Sequence, residues 1–231
     1  MKKVFLIGTM CLMVLTLHAQ NEGSKVEFVD LGVSVKWATC NLGASKPEDF
    51  GDYYAWGETE PYYASLGDPI IWKEAKDDGY KWASYSWCKD GEYTSLTKYN
   101  TDDKFGVVDN KTVLEEADDA ARVKLGGSCR IPTDAEWTEL RENCTWTWTS
   151  QGGMDGYKVA SKTNGNSIFL PAAGYRPGRS LQGDENGGYY WSSSLDTELP
   201  STAWRVYFNS AAVCRCNLVR YVGISVRPVS E

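Results

Sequence analysis

The chain has 231 residues and carries 31 acidic against 24 basic side chains, a formal charge of −7. That balance excludes non-specific nucleic-acid binding, which needs a basic surface, and docking on an anionic membrane. The only histidine, His18, falls in an N-terminal segment expected to be removed. What remains therefore lacks the means for Ser-His and Cys-His nucleophile pairs and for the usual histidine-bearing zinc sites.

Residues 1–20 read as a secretory signal: Lys2 and Lys3 precede an apolar run over 4–17, and Ala19 is a small residue suited to cleavage. The run is short for a bilayer span, and Cys11 sits within it rather than at its end. The expectation is an exported protein, secreted, periplasmic or at the cell surface, with no membrane span and with residues 21–231 forming one domain. Six cysteines follow the signal: Cys40, Cys88, Cys129, Cys144, Cys214 and Cys216. None lies in a Cys-x-x-Cys motif, and most are expected to be free or buried thiols.

Residues 26–42 read as two short strands around Asp30-Leu31-Gly32, the second carrying Val33, Val35 and Trp37. Residues 43–72 are rich in glycine and proline. Their aromatics (Phe50, Tyr53, Tyr54, Trp56, Tyr62 and Tyr63) are too numerous for a solvated linker and should tuck onto the core. Residues 77–110 continue in that style with Trp82, Tyr85, Trp87 and Tyr93. The first helix is predicted over 112–125, where Val113, Leu114, Ala117, Ala120, Ala121 and Val123 give an apolar stripe that Gly126-Gly127 stops.

The second helix is predicted over 133–143: Thr133 and Glu136 make a Thr-x-x-Glu capping box after Pro132, and Trp137 and Leu140 face the core. Trp146 and Trp148 alternate in a following strand, 167–173 is an apolar strand, and 174–188 is a polar loop. In 203–208, Trp204, Val206 and Phe208 alternate with Arg205 and Tyr207, as in a half-buried strand. Residues 209–222 fit neither period; they are either a buried hairpin loop or an apolar patch ringed by Arg205, Arg215 and Arg220. Residues 223–229 are extended, with Pro228 suiting a strand end.

The candidate chemistry is thin. Asp102, Asp103, Asp109, Asn110, Asp184, Glu185 and Asn186 offer oxygen ligands for calcium without EF-hand spacing, and read better as solvated loop charge. Asp118-Asp119 reads as a solvated helix face, Glu136 as a cap. No catalytic residue, metal ligand or cofactor is assigned.

Several segments together resemble one family: VDLGVSVKWAT at 29–39, YAWGE at 54–58, GGSCRIPTDAEW at 126–137, LPAAG at 170–174, YWSSS at 190–194 and SVRPV at 225–229. In this order they are similar to the Fibrobacter succinogenes major paralogous domain, with Cys129 where that family usually has tryptophan. The resemblance implies an α+β protein of the C-type lectin fold, shared with formylglycine-generating enzymes: two helices on small twisted antiparallel sheets, with long loops presenting a binding face. The copper-holding cysteine pair of those enzymes has no counterpart in matching context here. The lectin sugar-site tripeptides do not occur, so no enzyme activity and no calcium-dependent sugar site is expected.

Some members of that family are variable proteins of diversity-generating retroelements, whose C-terminal codons are rewritten at adenines. Rewriting an Asn codon can give Ala, Cys, Leu, Val, Ile, Arg, Tyr or Ser but never Lys, Glu, Gln, Met or Trp. Residues 205–224 contain none of those five. The resemblance thus implies a ligand-binding surface made of Arg205, Tyr207, Ala211, Ala212, Cys214, Cys216, Leu218, Val219, Val222 and Ile224, recognising a protein or cell-surface ligand. Its rivals are a paralogous structural domain with no diversified site and an oxidising enzyme of the formylglycine-generating kind.

Overall fold

The computed structural model describes residues 26–61, 79–184 and 186–231. Residues 1–20, read above as a signal, and Tyr62, Tyr63 and Glu185 lie outside them. Thirteen strands and two α-helices are present there: β1 (Phe28–Asp30), β2 (Lys36–Ala38), β3 (Tyr53–Tyr54), α1 (Ala120–Leu125), α2 (Asp134–Asn143), β4 (Cys144–Gln151), β5 (Met154–Ser161), β6 (Ser167–Pro171), β7 (Ala173–Tyr175), β8 (Gln182–Asp184), β9 (Gly188–Leu195), β10 (Thr202–Asn209), β11 (Ala212–Val219), β12 (Ile224–Ser225) and β13 (Val229–Ser230). The architecture is α+β. The strands form small sheets in the orders β1-β2-β13, β11-β10-β9-β12-β3, β4-β5-β6 and β7-β8. No helix among the described residues is long and apolar enough to cross a membrane.

Helix α2 begins where the sequence places it. Thr133 Oγ1 accepts from Glu136 N at 3.2 Å, and Glu136 Oε2 accepts from Thr133 N at 2.7 Å, so both orphan amides are answered. Arg130 adds a two-pronged ion pair to the same carboxylate at 2.8 and 2.5 Å, which together with the Thr133 amide holds Glu136 below its ordinary pKa against the opposing effect of burial. Trp137 and Leu140 then enter the core.

Three tryptophans of the quoted motifs meet at β9. Trp137 Nε1 donates to Trp191 O at 3.1 Å, Trp56 Nε1 to Ser192 O at 2.8 Å, and Trp191 Nε1 to Tyr54 O at 2.8 Å. Each ring is buried while its one polar atom is satisfied. One core gathers Trp37, Trp137, Tyr190, Val206 and Phe208; a second gathers Trp56, Tyr99, Trp191, Val222 and Ile224. Phe208 lies so close to Gly188 that a β-carbon there would collide with its ring.

Two expectations need correction. The helix expected over 112–125 is only α1, preceded by a short 3-10 turn, Glu116–Asp118. Asp119 caps it by accepting from Arg122 N at 3.0 Å, which fixes the start at Ala120. Upstream, Leu114 N donates to Ser193 O and Leu195 N to Thr112 O, at 3.0 and 2.8 Å, so this piece runs extended beside β9. Val113 and Val123 are exposed rather than part of a stripe.

Nor is Asp118-Asp119 a solvated face: both are buried. Asp118 accepts from Lys98 Nζ and Tyr99 OH, and Asp119 also accepts from Ile131 N at 2.8 Å.

Candidate functional site

The stretch read as irregular is largely a strand. Asn209 Oδ1 accepts from Ala211 N and Ala212 N at 2.9 and 3.1 Å, which shapes a tight turn. Strand β11 then pairs with β10 in unbroken register from Asn209↔Ala212 to Thr202↔Val219. Alternation sends Trp204, Val206, Phe208, Val213, Arg215 and Val219 to one face, and Arg205, Tyr207, Cys214, Cys216 and Leu218 to the other. β11 is the edge strand of the five-stranded sheet.

The first face is the inner one. Phe208 and Val206 are core, and Val213 packs against them. Arg215 is not a rim charge of the open face: its guanidinium lies 3.3 Å from the centroid of the Trp204 ring, and its Nε donates to Asp134 at 2.7 and 2.8 Å, at the start of α2.

The second face changes character along its length. Toward the Ala203↔Leu218 end it joins the second core, against which Leu218 packs half-buried; Val219, at the end of the opposite face, is half-buried against the same core. Toward the turn it opens. Tyr175, Tyr189 and Tyr207 form a row of rings, with centroids 4.7 and 4.9 Å apart. Arg205 lies over two of them, 4.8 Å from Tyr189 and 5.3 Å from Tyr207. Its Nε and Nη1 are covered and find no hydrogen-bond partner among the described residues. Burial pushes the Tyr189 hydroxyl up to about 12; the Tyr207 hydroxyl accepts from Asn209 Nδ2 at 3.0 Å.

Of the ten residues expected to make the surface, the structure thus brings Arg205, Tyr207, Cys214 and Cys216 together, with Ala211 and Ala212 exposed at the turn. Val222 and Ile224 do not belong. They are 2% and 0% exposed, inside the second core, because the chain turns inward after β11 and pairs Ile224 with Tyr54. Arg220 is likewise no rim charge but fully buried. Sequence reasoning left out Tyr175 and Tyr189, which the β7-β8 hairpin and β9 bring alongside; Tyr189 was legible as the outward neighbour of core-facing Tyr190.

Other candidate chemistry resolves into structure. Asp109 accepts from the backbone amides of Tyr99, Asn100 and Lys111 at 3.0, 2.9 and 3.2 Å, so it organises its own loop. Glu58, buried beside Tyr85 and Ser86, is pushed up to about 7 by desolvation although Oε1 accepts from Ser86 N at 2.7 Å. All six described cysteines are free thiols. Comparison with protein-family models, with curated proteins and with solved structures finds no match.

Proposed function

We propose that this chain is a ligand-binding protein of C-type lectin-like architecture, whose open hairpin face recognises a protein or cell-surface ligand. The observation that carries the reading is Arg205, a cation flanked by Tyr189 and Tyr207, with two covered donors that no described residue answers. Nε and Nη1 themselves are shielded, so what a partner meets is the rest of this half-buried cation and the two half-buried rings beside it. Tyrosine and arginine are the residue types that dominate binding energy when they sit centrally in an interface. The resemblance in sequence supports the same reading, since residues of its rewritten segment, Arg205, Tyr207, Ala211, Ala212, Cys214 and Cys216, occupy this face. Its N-terminal segment would direct the chain out of the cytoplasm.

Displayed peptides selected on the immobilised wild-type chain test the reading. They should lose at least about tenfold in affinity against Arg205→Ala and Tyr207→Ala, and bind Lys158→Ala, on the separate β4-β5-β6 sheet, unchanged. Selected peptides indifferent to both face variants would refute it.

A further inference from the structure

The open face holds a second feature, which stands whether or not the face recognises a macromolecule. Cys214 and Cys216 point to the same side of β11, and their sulfurs lie 3.7 Å apart. Both are half-buried and unbridged. A disulfide would need the sulfurs at about 2.0 Å, and β11 is held in register on β10 across all eight of its residues. The observed spacing suits a different purpose. Two sulfurs each about 2.3 Å from one tetrahedral ion stand about 3.8 Å apart. We infer that Cys214 and Cys216 form a dithiolate clamp for a soft, thiophilic d10 cation of the zinc and cadmium kind.

Sulfur donors select soft ions over magnesium or calcium. No group of three or more His, Cys, Asp or Glu side chains suited to a metal occurs among the described residues. The clamp therefore supplies two ligands and leaves the other positions to solvent or to an incoming donor, an open site rather than a closed structural one. Binding displaces the two thiol protons. Burial works against this, pushing the Cys216 thiol up to about 11, while Arg205 directly across the ladder and Arg141 of α2 pull it down. Tyr207, across from Cys214, completes the surroundings. Two thiolates and a dication make a neutral unit, so Arg205 beside them brings little net repulsion.

The test is a titration of the reduced full chain with Cd2+, followed by sulfur-to-cadmium charge-transfer absorption, with Zn2+ as competitor. One ion per chain should bind, Zn2+ should displace it, and Mg2+ should not. Cys214→Ser and Cys216→Ser should each remove the band, and the combined Cys40→Ser, Cys88→Ser, Cys129→Ser variant should keep it. A second measurement needs no variant. Alkylation of the wild-type chain, mapped by peptide mass spectrometry, should show Cys214 and Cys216 protected by Zn2+ and Cys40, Cys88 and Cys129 unprotected. Absence of saturable binding, a band that survives in the Cys214→Ser, Cys216→Ser double variant, or protection confined to the other cysteines would each overturn the assignment.

Discussion

Arg205 and Arg220 flank the same strand, β11, and are held in opposite ways. Arg205 lies between tyrosine rings with Nε and Nη1 unanswered. Arg220 is fully buried, and its donors reach Tyr85 OH at 2.9 Å and the carbonyls of Tyr99, Pro200 and Lys98 at 3.0 Å. Its guanidinium also stacks over Trp56 and Tyr85. No carboxylate takes part in that set; neutral oxygens and ring faces suffice to bury the charge. Arg227 repeats the pattern with Asn41 Oδ1 and the carbonyls of Ala38 and Phe169, and desolvation pulls it below the ordinary arginine pKa. The difference teaches that charge and sequence position do not tell how an arginine is held. What separates the two is whether the fold itself supplies the acceptors.

The sharpest way to break this comparison is to remove each guanidinium in turn. Arg220→Met should destabilise by about 4 kcal/mol, because it strands three carbonyls and a phenol in the interior. Arg205→Met should move stability by no more than about 0.5 kcal/mol, since the lost contacts with Tyr189 and Tyr207 are offset by the removal of two unanswered covered donors. Denaturant titrations read both, and equal losses would erase the distinction. Next in size are the positions on either side of the boundary. Val222→Asn and Ile224→Asn should each lose about 3 kcal/mol by burying an unpaired amide, whereas Ala211, Ala212, Cys214 and Cys216 replaced together by Asn should stay within about 1 kcal/mol of wild type. A collapse of the fourfold variant would place the face in the core. The smallest effect sharpens the support beneath the face: Thr133→Ala should lower thermal and denaturant stability by about 1 kcal/mol through loss of the α2 cap, without altering peptide binding at Arg205.

Local rules made α2 and β10 legible. Thr133, Glu136, Trp137 and Leu140 state a cap and a buried face together, and Trp204, Val206 and Phe208 state a period of two. β11 was hidden because its apolar residues serve both faces: Val213 and Val219 pack inward while Cys214, Cys216 and Leu218 face the other way, which erases the alternation. The helix over 112–125 was overextended because Val113 and Leu114 carry helical spacing by coincidence; their backbone partners, on β9, are distant in sequence. The open face was legible as a stretch but not in its limits. Nothing local to Arg220 or Ile224 announces that Lys98, Tyr99 and Pro200 would receive the one, or that Tyr54 would pair with the other. Those are long-range facts, and they decide where the surface ends.

The pairing of β13 with β2, Val229 against Trp37 and Ser230 against Lys36, has a kinetic consequence. The last described strand shares a ladder with the second, so the three-stranded sheet cannot close until residues 229–230 have emerged from the ribosome. Arg227, reaching Asn41 and Ala38, ties the same two ends. Contacts of such sequence separation slow folding, because a long loop must be closed before they form. The α2 helix and the β4-β5 hairpin can form early, whereas the hairpin bearing Arg205 gains its supporting second core only after Ile224 and Val226 arrive. The nascent chain therefore passes through an interval in which β10 and β11 exist without the floor that holds them flat.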